Sequence, residues 1–535
     1  MIQFFWAILP LATLIILMAG FKKPTYLSAP IALLTGLTSV YFWGMPLNWI
    51  GGALAKGFLI TTEILFIVLG AIFLLEVLQR SGAFEPIKNA VERLSPDRRI
   101  QAIIVGWLFV SFIEGAAGFG TPAMLAVPLL MILGFPPLIS VIICLIGDST
   151  AVTFGAVGVP ISIGIAEGVT PAQAIVLGAG FVNTVAGLTA SFHLLLGALV
   201  PLAMVVVLTL SAEGSIKKGL AIWPYALMAG LVFTIPYFLV AVFLGPEFPS
   251  IVGGLVGLII ILPLTKVGFL VPKEKWRFPS ESKPETTASS FGFGKLARAF
   301  IPYFLIITLL VLSRINFLGL AEFLKQGSLV FGNLFNTGLN HTFDIFYSPG
   351  FFFILVTFLA FKFYGLGLKS AGRSFFKALK KISYPAIGLV AVITLVQILI
   401  FSANNDMGRA GIPIYLSQLL AINGFLWFFI SPLVGLFGSF LAGSSTVSNL
   451  LLSAFQVETA MSLGLSPILI LSLQAVGSAI GNMVAIHNIL AALAVAGLSR
   501  SENQVIKKNL PIAFIYVLLA GLLAIFYSFY LIAGS

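Results

Sequence analysis

The chain has 535 residues, 59% hydrophobic and only 9% charged, with 29 Lys+Arg against 18 Asp+Glu and a net charge of +11; its mean hydropathy is +1.11. A soluble domain carries roughly 25% charged residues, so a water-soluble enzyme is excluded, and the wealth of aromatics, 49 Phe among them, excludes a disordered chain. The basic residues sit in short clusters between apolar runs, the pattern of cytoplasmic loops rather than of a nucleic-acid-binding surface.

About 20 apolar residues in a helix cross a ~30 Å hydrocarbon layer. In chain order, candidate spans fall at residues 2–20, 27–43, 60–79, 137–159, 172–210, 220–243, 251–270, 300–318, 350–363, 384–401, 467–490 and 511–531. Runs this long and uniform suit helices rather than barrel strands. The expected fold is an all-α polytopic membrane protein of about 12 transmembrane helices. Residues 2–20 read as a first span, not a signal peptide, because no small-residue cleavage site precedes Lys22 and Lys23. Residues 172–210 are read as one crossing plus a partial helix. The clusters around Arg80, Lys88, Arg93, Arg98 and Arg99, around Lys273 to Arg298, around Lys362 to Lys381, and at Arg500, Lys507 and Lys508 are placed inside. A hydrophilic cytoplasmic linker, 272–297, then separates a first transmembrane half, 1–271, from a second, 298–535. Cys144, the lone cysteine, leaves no internal disulfide and no Cys-rich metal site.

The two halves resemble each other. FIEGAAGFGTP from Phe112 is echoed by FLAGSSTVSNL from Phe440, LGFPP from Leu133 by LGLSP from Leu463, and a helix interruption at Gly147 by one at Gly477. The flanking spans 60–79 and 384–401 enter from opposite sides, so the repeat is inverted, a construction of secondary transporters whose substrate site lies between the repeats. Residues 100–133 form arms of only about 20 Å around a Gly-rich tip. They are expected to be a re-entrant hairpin, with a partner at about 425–464; 137–159 and 467–490 are expected to be broken helices.

Gly-rich tips expose backbone N–H groups at helix N-termini and suit a small carboxylate. The candidate substrate ligands are Gly118, Gly120 and Thr121 at the first tip, and Ser444, Ser445, Thr446, Ser448 and Asn449 at the second. Gly147, Ser149 and Thr150 at the first interruption and Gly477, Ser478 and Asn482 at the second complete the set. Small-residue helix packing is the rival reading of the tips. An acidic side chain at mid-membrane costs about 3 kcal/mol and is usually functional, which singles out Asp148 and Glu114 as carriers of the coupling ion, with His487 as a third titratable group. For Asp148, carrying a proton and coordinating Na⁺ stand as alternatives; for Glu114, carrying a proton and capping the tip backbone; for His487, titrating near neutral pH and serving as a buried structural residue. Glu63 and Glu76 are expected to pair with Lys56 or Arg80, Asp406 and Arg409 with each other, and His193 and His341 to be structural. FGFGK at 291–295 lacks the P-loop spacing, and no HExxH or nucleophile elbow occurs, so no enzyme, cofactor or metal is expected.

Five strings, EGAAGFGTP from Glu114, LGFPPL from Leu133, FGAVGVPI from Phe154, GPEFPSI from Gly245 and GSFLAGSSTVSN from Gly438, resemble the lactate permease family over essentially the whole chain. The resemblance implies proton-coupled symport of a short 2-hydroxymonocarboxylate such as lactate or glycolate across a bacterial-type inner membrane. The chain departs from the family pattern at 147–150, where the family runs Asn-Thr-Ala-Pro, and at 481–487, where it runs Gly-Lys-Met-Ile-Ser-Pro-Gln. The alternatives are a sodium-coupled symporter of another small organic anion and an anion channel. The expected partners are the substrate anion and the bilayer, with no nucleic acid; oligomeric state does not follow from the residues.

Overall fold

The computed structural model describes residues 2–21, 23–82, 95–118, 120–279, 301–302, 304–306, 308–309, 312–313, 319–420, 424–498 and 501–533. Ten helices among them are long and apolar enough to cross a membrane, and a further helix pair bent by 57° passes the same test. The protein is an all-α polytopic membrane protein. Much of candidate span 300–318, Lys22, Lys88, Arg93, Arg500, residues 280–297 of the linker and the FGFGK string lie outside the described residues.

In chain order the helices are α1 Ile2–Ile15, α2 Thr25–Trp43, α3 Leu47–Arg80, α4 Arg98–Ala117, α5 Thr121–Ile132, α6 Pro137–Asp148, α7 Gly155–Ser162 and α8 Pro171–Leu177. There follow α9 Phe181–Glu213, α10 Ile216–Leu220, α11 Trp223–Phe243, α12 Pro249–Lys266 and α13 Leu320–Lys325. An antiparallel hairpin, β1 Leu329–Leu334 and β2 Leu339–Phe343, precedes α14 Pro349–Phe363, α15 Leu368–Ile400, α16 Ile412–Leu420, α17 Gly424–Ala442, α18 Ser445–Ser462, α19 Pro467–Gly481, α20 Ile486–Val495 and α21 Glu502–Ala533.

Region 172–210 resolves as expected, into the seven-residue α8 and the long α9. Several helices outrun their apolar segments. The basic run from Lys369 to Lys381, read as a loop, is the first part of the 33-residue α15, since Lys and Arg are good helix formers. The linker's first residues, 272–278, are docked: Trp276 and Phe278 are buried. They are held by a buried ion pair in which Arg99 Nη2 meets Asp97 Oδ2 at 2.6 Å and also donates to the Glu274 carbonyl, while Trp276 N–H donates to Asp97.

α3 and α15, the flanking spans of the two repeats, pack antiparallel. Gly57 of α3 abuts the Thr394 backbone at one end, and Glu76 takes Lys377 at 2.8 Å and also Lys381 at the other. Glu76 therefore pairs across the repeat and not with its own helix's Arg80, which instead donates to Ser374. Lys56 pairs with Glu167 at 3.7 Å and Glu63 with His341 at 3.6 Å. Arg409 donates to the Phe42 carbonyl and stacks over Trp43, with no bond to Asp406.

Two glycines read as interruptions lie inside continuous helices. A Cβ on Gly147 in α6 would lie 1.7 Å from the Gly106 carbonyl oxygen in α4, and one on Gly477 in α19 would lie 1.9 Å from that of Pro432 in α17. Their small size serves backbone-to-backbone packing, at matching places in the two halves. The breaks come later: at Ser149–Thr150, followed by a 3₁₀ turn Ala151–Phe154, and at the 3₁₀ turn Asn482–Val484 with Ala485. Ser478 likewise lies within α19.

Candidate functional site

The first tip turns on Gly118 (φ +56°) and Gly120 (φ +74°), the second on Gly443 (φ +67°). Gly118 is thus the counterpart of Gly443, whereas the motif alignment matched Gly115 to it. Gly115 lies inside α4, where a Cβ would meet the Ile251 backbone nitrogen at 2.4 Å. Left-handed backbone is the province of glycine because a Cβ there crowds its own carbonyl. The first break departs from that rule: Ala156 (φ 44°) and Val157 (φ 61°) join Gly158 (φ 77°) in three successive left-handed residues. For a β-branched residue this is an outlier costing on the order of 1–3 kcal/mol. The turn is wedged between Gly118, whose Cβ would fall 2.8 Å from that of Ala156, and the Pro246 carbonyl, 2.1 Å from a Cβ on Gly158.

Tips and breaks frame a small cleft open to one side, lined by Glu114, Gly120 and the first break's Val152, Gly155, Ala156 and Pro160, and by Gly443, Ser444, Ser445, Thr446, Asn482 and Asn488 of the second half. Three helices begin at it: α5 after Gly120, α18 with Ser444 as its N-cap, and α20 with Asn488 in its first turn. Their N-terminal dipole ends favour negative charge there. None of the lining residues is basic.

Glu114 is the cleft's acid. Its Oε2 has no hydrogen-bond partner, and Oε1 fills the space of a side chain at Gly155, 2.1 Å from where a Cβ would stand. Asp148, 4% exposed, lies behind it with Oδ1 equally unpartnered and within electrostatic reach of Glu114, but does not line the cleft. Asn488 Nδ2 donates to Asn482 Oδ1 at 2.5 Å and to the Asn482 carbonyl at 3.3 Å, which leaves the Asn482 amide hydrogens for the cleft.

Of the residues singled out from sequence, Glu114, Gly120, Ser444, Ser445, Thr446 and Asn482 meet here. The others hold the site together. Ser149 donates to the Ile146 carbonyl, Tyr237 to that of Thr150 and Ser250 to that of Ala151, so each of these carbonyls at the first break has a protein partner. Ser478 bonds Ser445 at 2.6 Å, Ser448 donates to the Gly435 carbonyl, and Asn449 reaches across the halves to that of Pro160 at 2.9 Å. Thr150 is buried and Thr121 lines a different cavity. His487 stacks against Gly443 with Nδ1 unpartnered. His193, fully buried, bridges Thr153 at 2.8 Å and Tyr516 at 2.6 Å. Missed were Val152, Gly155, Ala156, Pro160 and Asn488; the middle three stand in the FGAVGVPI string, whose clustered Gly and Pro were the available signal.

The family model described as L-lactate permease matches residues 3–531. The chain is 27% identical to the L-lactate permease of Bacillus subtilis over 83% of this chain and 80% of that one. It is 26% identical to the glycolate permease GlcA of Escherichia coli over 98% and 95%. The solved structure of MtrF from Neisseria gonorrhoeae aligns over 92% of this chain and 83% of that one at 14% identity, with a TM-score of 0.41, too low to establish a shared fold.

Proposed function

This chain belongs to the L-lactate permease family, a family of transporters and not of enzymes, and from that premise we propose that it carries lactate or glycolate across the plasma membrane by proton-coupled symport. What carries the reading is the cleft, in which the unpartnered carboxyl of Glu114 faces three helix N-termini, hydroxyls and amides with no basic side chain among the lining residues. The carboxylate of the substrate is received by the N-termini of α18 and α20, by Ser444 and Thr446, and by the free amide of Asn482. Its hydroxyl suits the remaining donors and acceptors.

The coupling follows from charge. Two like charges about 4 Å apart repel by about 4 kcal/mol at an effective dielectric of 20, close to a thousandfold in affinity. A monocarboxylate therefore enters beside Glu114 only when that group holds a proton, and the same coupling makes the proton bind better when the anion is present. A neutral carboxyl is also far cheaper to bury than a charged one. Asp148 behind Glu114 is a second place for the proton. The protein partners of the Ile146, Thr150 and Ala151 carbonyls favour a proton over Na⁺, which needs a set of free oxygens.

The test is counterflow in proteoliposomes with lactate, glycolate, pyruvate and acetate, with pH and Na⁺ gradients set independently. Lactate and glycolate should exchange, and an inward proton gradient should drive their accumulation with acidification of the lumen. Accumulation driven by Na⁺ at equal pH would reassign the coupling ion.

A further inference from the structure

α21 is tied to both broken helices. Asn509, fully buried, donates from Nδ2 to the Met483 carbonyl at 2.9 Å, in the 3₁₀ turn of the second break. Seven residues on, the Tyr516 hydroxyl lies 2.6 Å from His193 Nδ1, and Nε2 of that ring lies 2.8 Å from Thr153 Oγ1, in the 3₁₀ turn of the first break. Seven residues are two helical turns, so Asn509 and Tyr516 share one face of α21, about 10 Å apart. Each tie lands one residue past a residue that lines the cleft: Met483 follows Asn482, and Thr153 follows Val152.

Both ties are dry. His193 is 0% exposed with both ring nitrogens engaged, so its imidazole is a spacer of fixed length between α21 and the first turn. Two residues beyond Thr153, Gly155 leaves the space that Glu114 Oε1 fills. A break that shifts must take α21 with it or leave a buried polar group unmet, which is costly.

We propose that α21 is a tie bar between the two breaks, with His193 as the positioning residue that passes the setting of α21 to Thr153 and so to the seat of Glu114. This rests on the symport reading above. It gives His193 and Tyr516, which that reading leaves unused, a part in coupling without carrying the proton. The other titratable groups around Glu114 are Asp148 and, behind it, Cys144 on α6. The first break, α5 and α7 bring none, α12 has only Lys266 at its far end, and the acids of α3, Glu63 and Glu76, are paired with His341 and Lys377. Across the cleft, His487 flanks Gly443. His193 itself faces Tyr237 of α11 and Tyr516.

Full-length protein in proteoliposomes tests the tie bar with two readouts, the pH at which proton-driven L-lactate uptake is half-maximal and the lactate KM in counterflow. Tyr516→Phe removes one hydroxyl and alters neither break. It should lower the half-maximal pH by about half a unit, the scale of one hydrogen bond, because a loosened turn admits water beside Glu114 and water favours a charged carboxyl. Thr153→Val makes the same cut from the other side and should give the same shift, while Thr153→Ser, which keeps the hydroxyl, should behave as the parent. Asn509→Leu, at the other break, should raise KM and also lower the half-maximal pH, and with Tyr516→Phe should give less than the sum of the two shifts. A half-maximal pH unmoved in Tyr516→Phe or Thr153→Val overturns the tie bar, whatever becomes of Asn509→Leu. So does an Asn509→Leu protein that changes KM alone. A parent protein without proton-driven uptake removes the symport reading beneath; such uptake in the parent with its pH dependence unaltered in the variants removes the tie bar alone.

Discussion

The two hairpins share a backbone plan and differ in how they treat polar groups. In the second half the buried amides are chained: Trp427 donates to Gln456, Gln456 to Gln474, Gln474 to Ser448, and Ser448 to the Gly435 carbonyl. In the first half Trp107, Ser111, Glu114, Asp148 and Thr150 each have a side-chain polar atom without a partner, against Ser439 and His487 at the second hairpin and break, and only the first break carries left-handed Ala156 and Val157. A satisfied buried network is rigid, while an unmet buried polar atom is costly. On the symport proposed above, the second half is then the more rigid receptor, and the first, with more unmet polar atoms and the strained break, the half that changes proton and shape.

Removing the acid tests that division most severely. Glu114→Gln should abolish proton-driven accumulation, a loss of at least about a hundredfold given the repulsion estimated above, while lactate counterflow persists. Asn482→Ala should do the reverse, raising KM about tenfold for one lost hydrogen bond to a charged ligand and leaving proton drive intact. Identical phenotypes would break the comparison.

Scaffold glycines should not distinguish the halves. Gly147→Ala and Gly477→Ala each push a methyl into a facing carbonyl and should each destabilise by about 1–3 kcal/mol, read as thermal unfolding in detergent. Ala156→Gly relieves a left-handed alanine present only in the first half and should stabilise by about 1 kcal/mol.

The smallest expected effect lies outside the cleft. Burial holds the His341 imidazole below its ordinary range, opposed by Glu167 and reinforced by Lys56. A folded pKa below the unfolded one means the unfolded chain binds the proton first. Stability from His341 should thus be complete above about pH 6.5 and fall as pH drops through and below that value. His341→Gln should flatten the acid side of the melting profile slightly, leaving the neutral side in place.

The helical bundle, the opposed flanking spans and the two tips were legible because apolar runs and Gly-rich breaks are local signals. Gly147 and Gly477 were not: a helix glycine is equally a break or a packing surface until its partner is known, and Gly106 and Pro432 are distant in sequence. The same holds for Ser448 and Asn449, whose partners, Gly435 and Pro160, no local pattern announces. Glu114 was found by scarcity of charge; Gly155 stands in the clustered Gly and Pro of FGAVGVPI, but that it makes room for Glu114 is visible only in the fold. The β1–β2 hairpin was missed because Phe-rich and Asn-rich residues there follow no period; His341, expected only to be structural, sits on β2 facing Glu63.

Where α4 meets α6 at Gly106 and Gly147, and α17 meets α19 at Pro432 and Gly477, main chain rests on main chain. No rotamer lies between them to absorb a displacement. Each hairpin base and its broken helix must turn as one lever, so the slack of a transport cycle is confined to the few residues of the tips and breaks. The stroke is then short, and its length is set by loops rather than by the swing of whole halves.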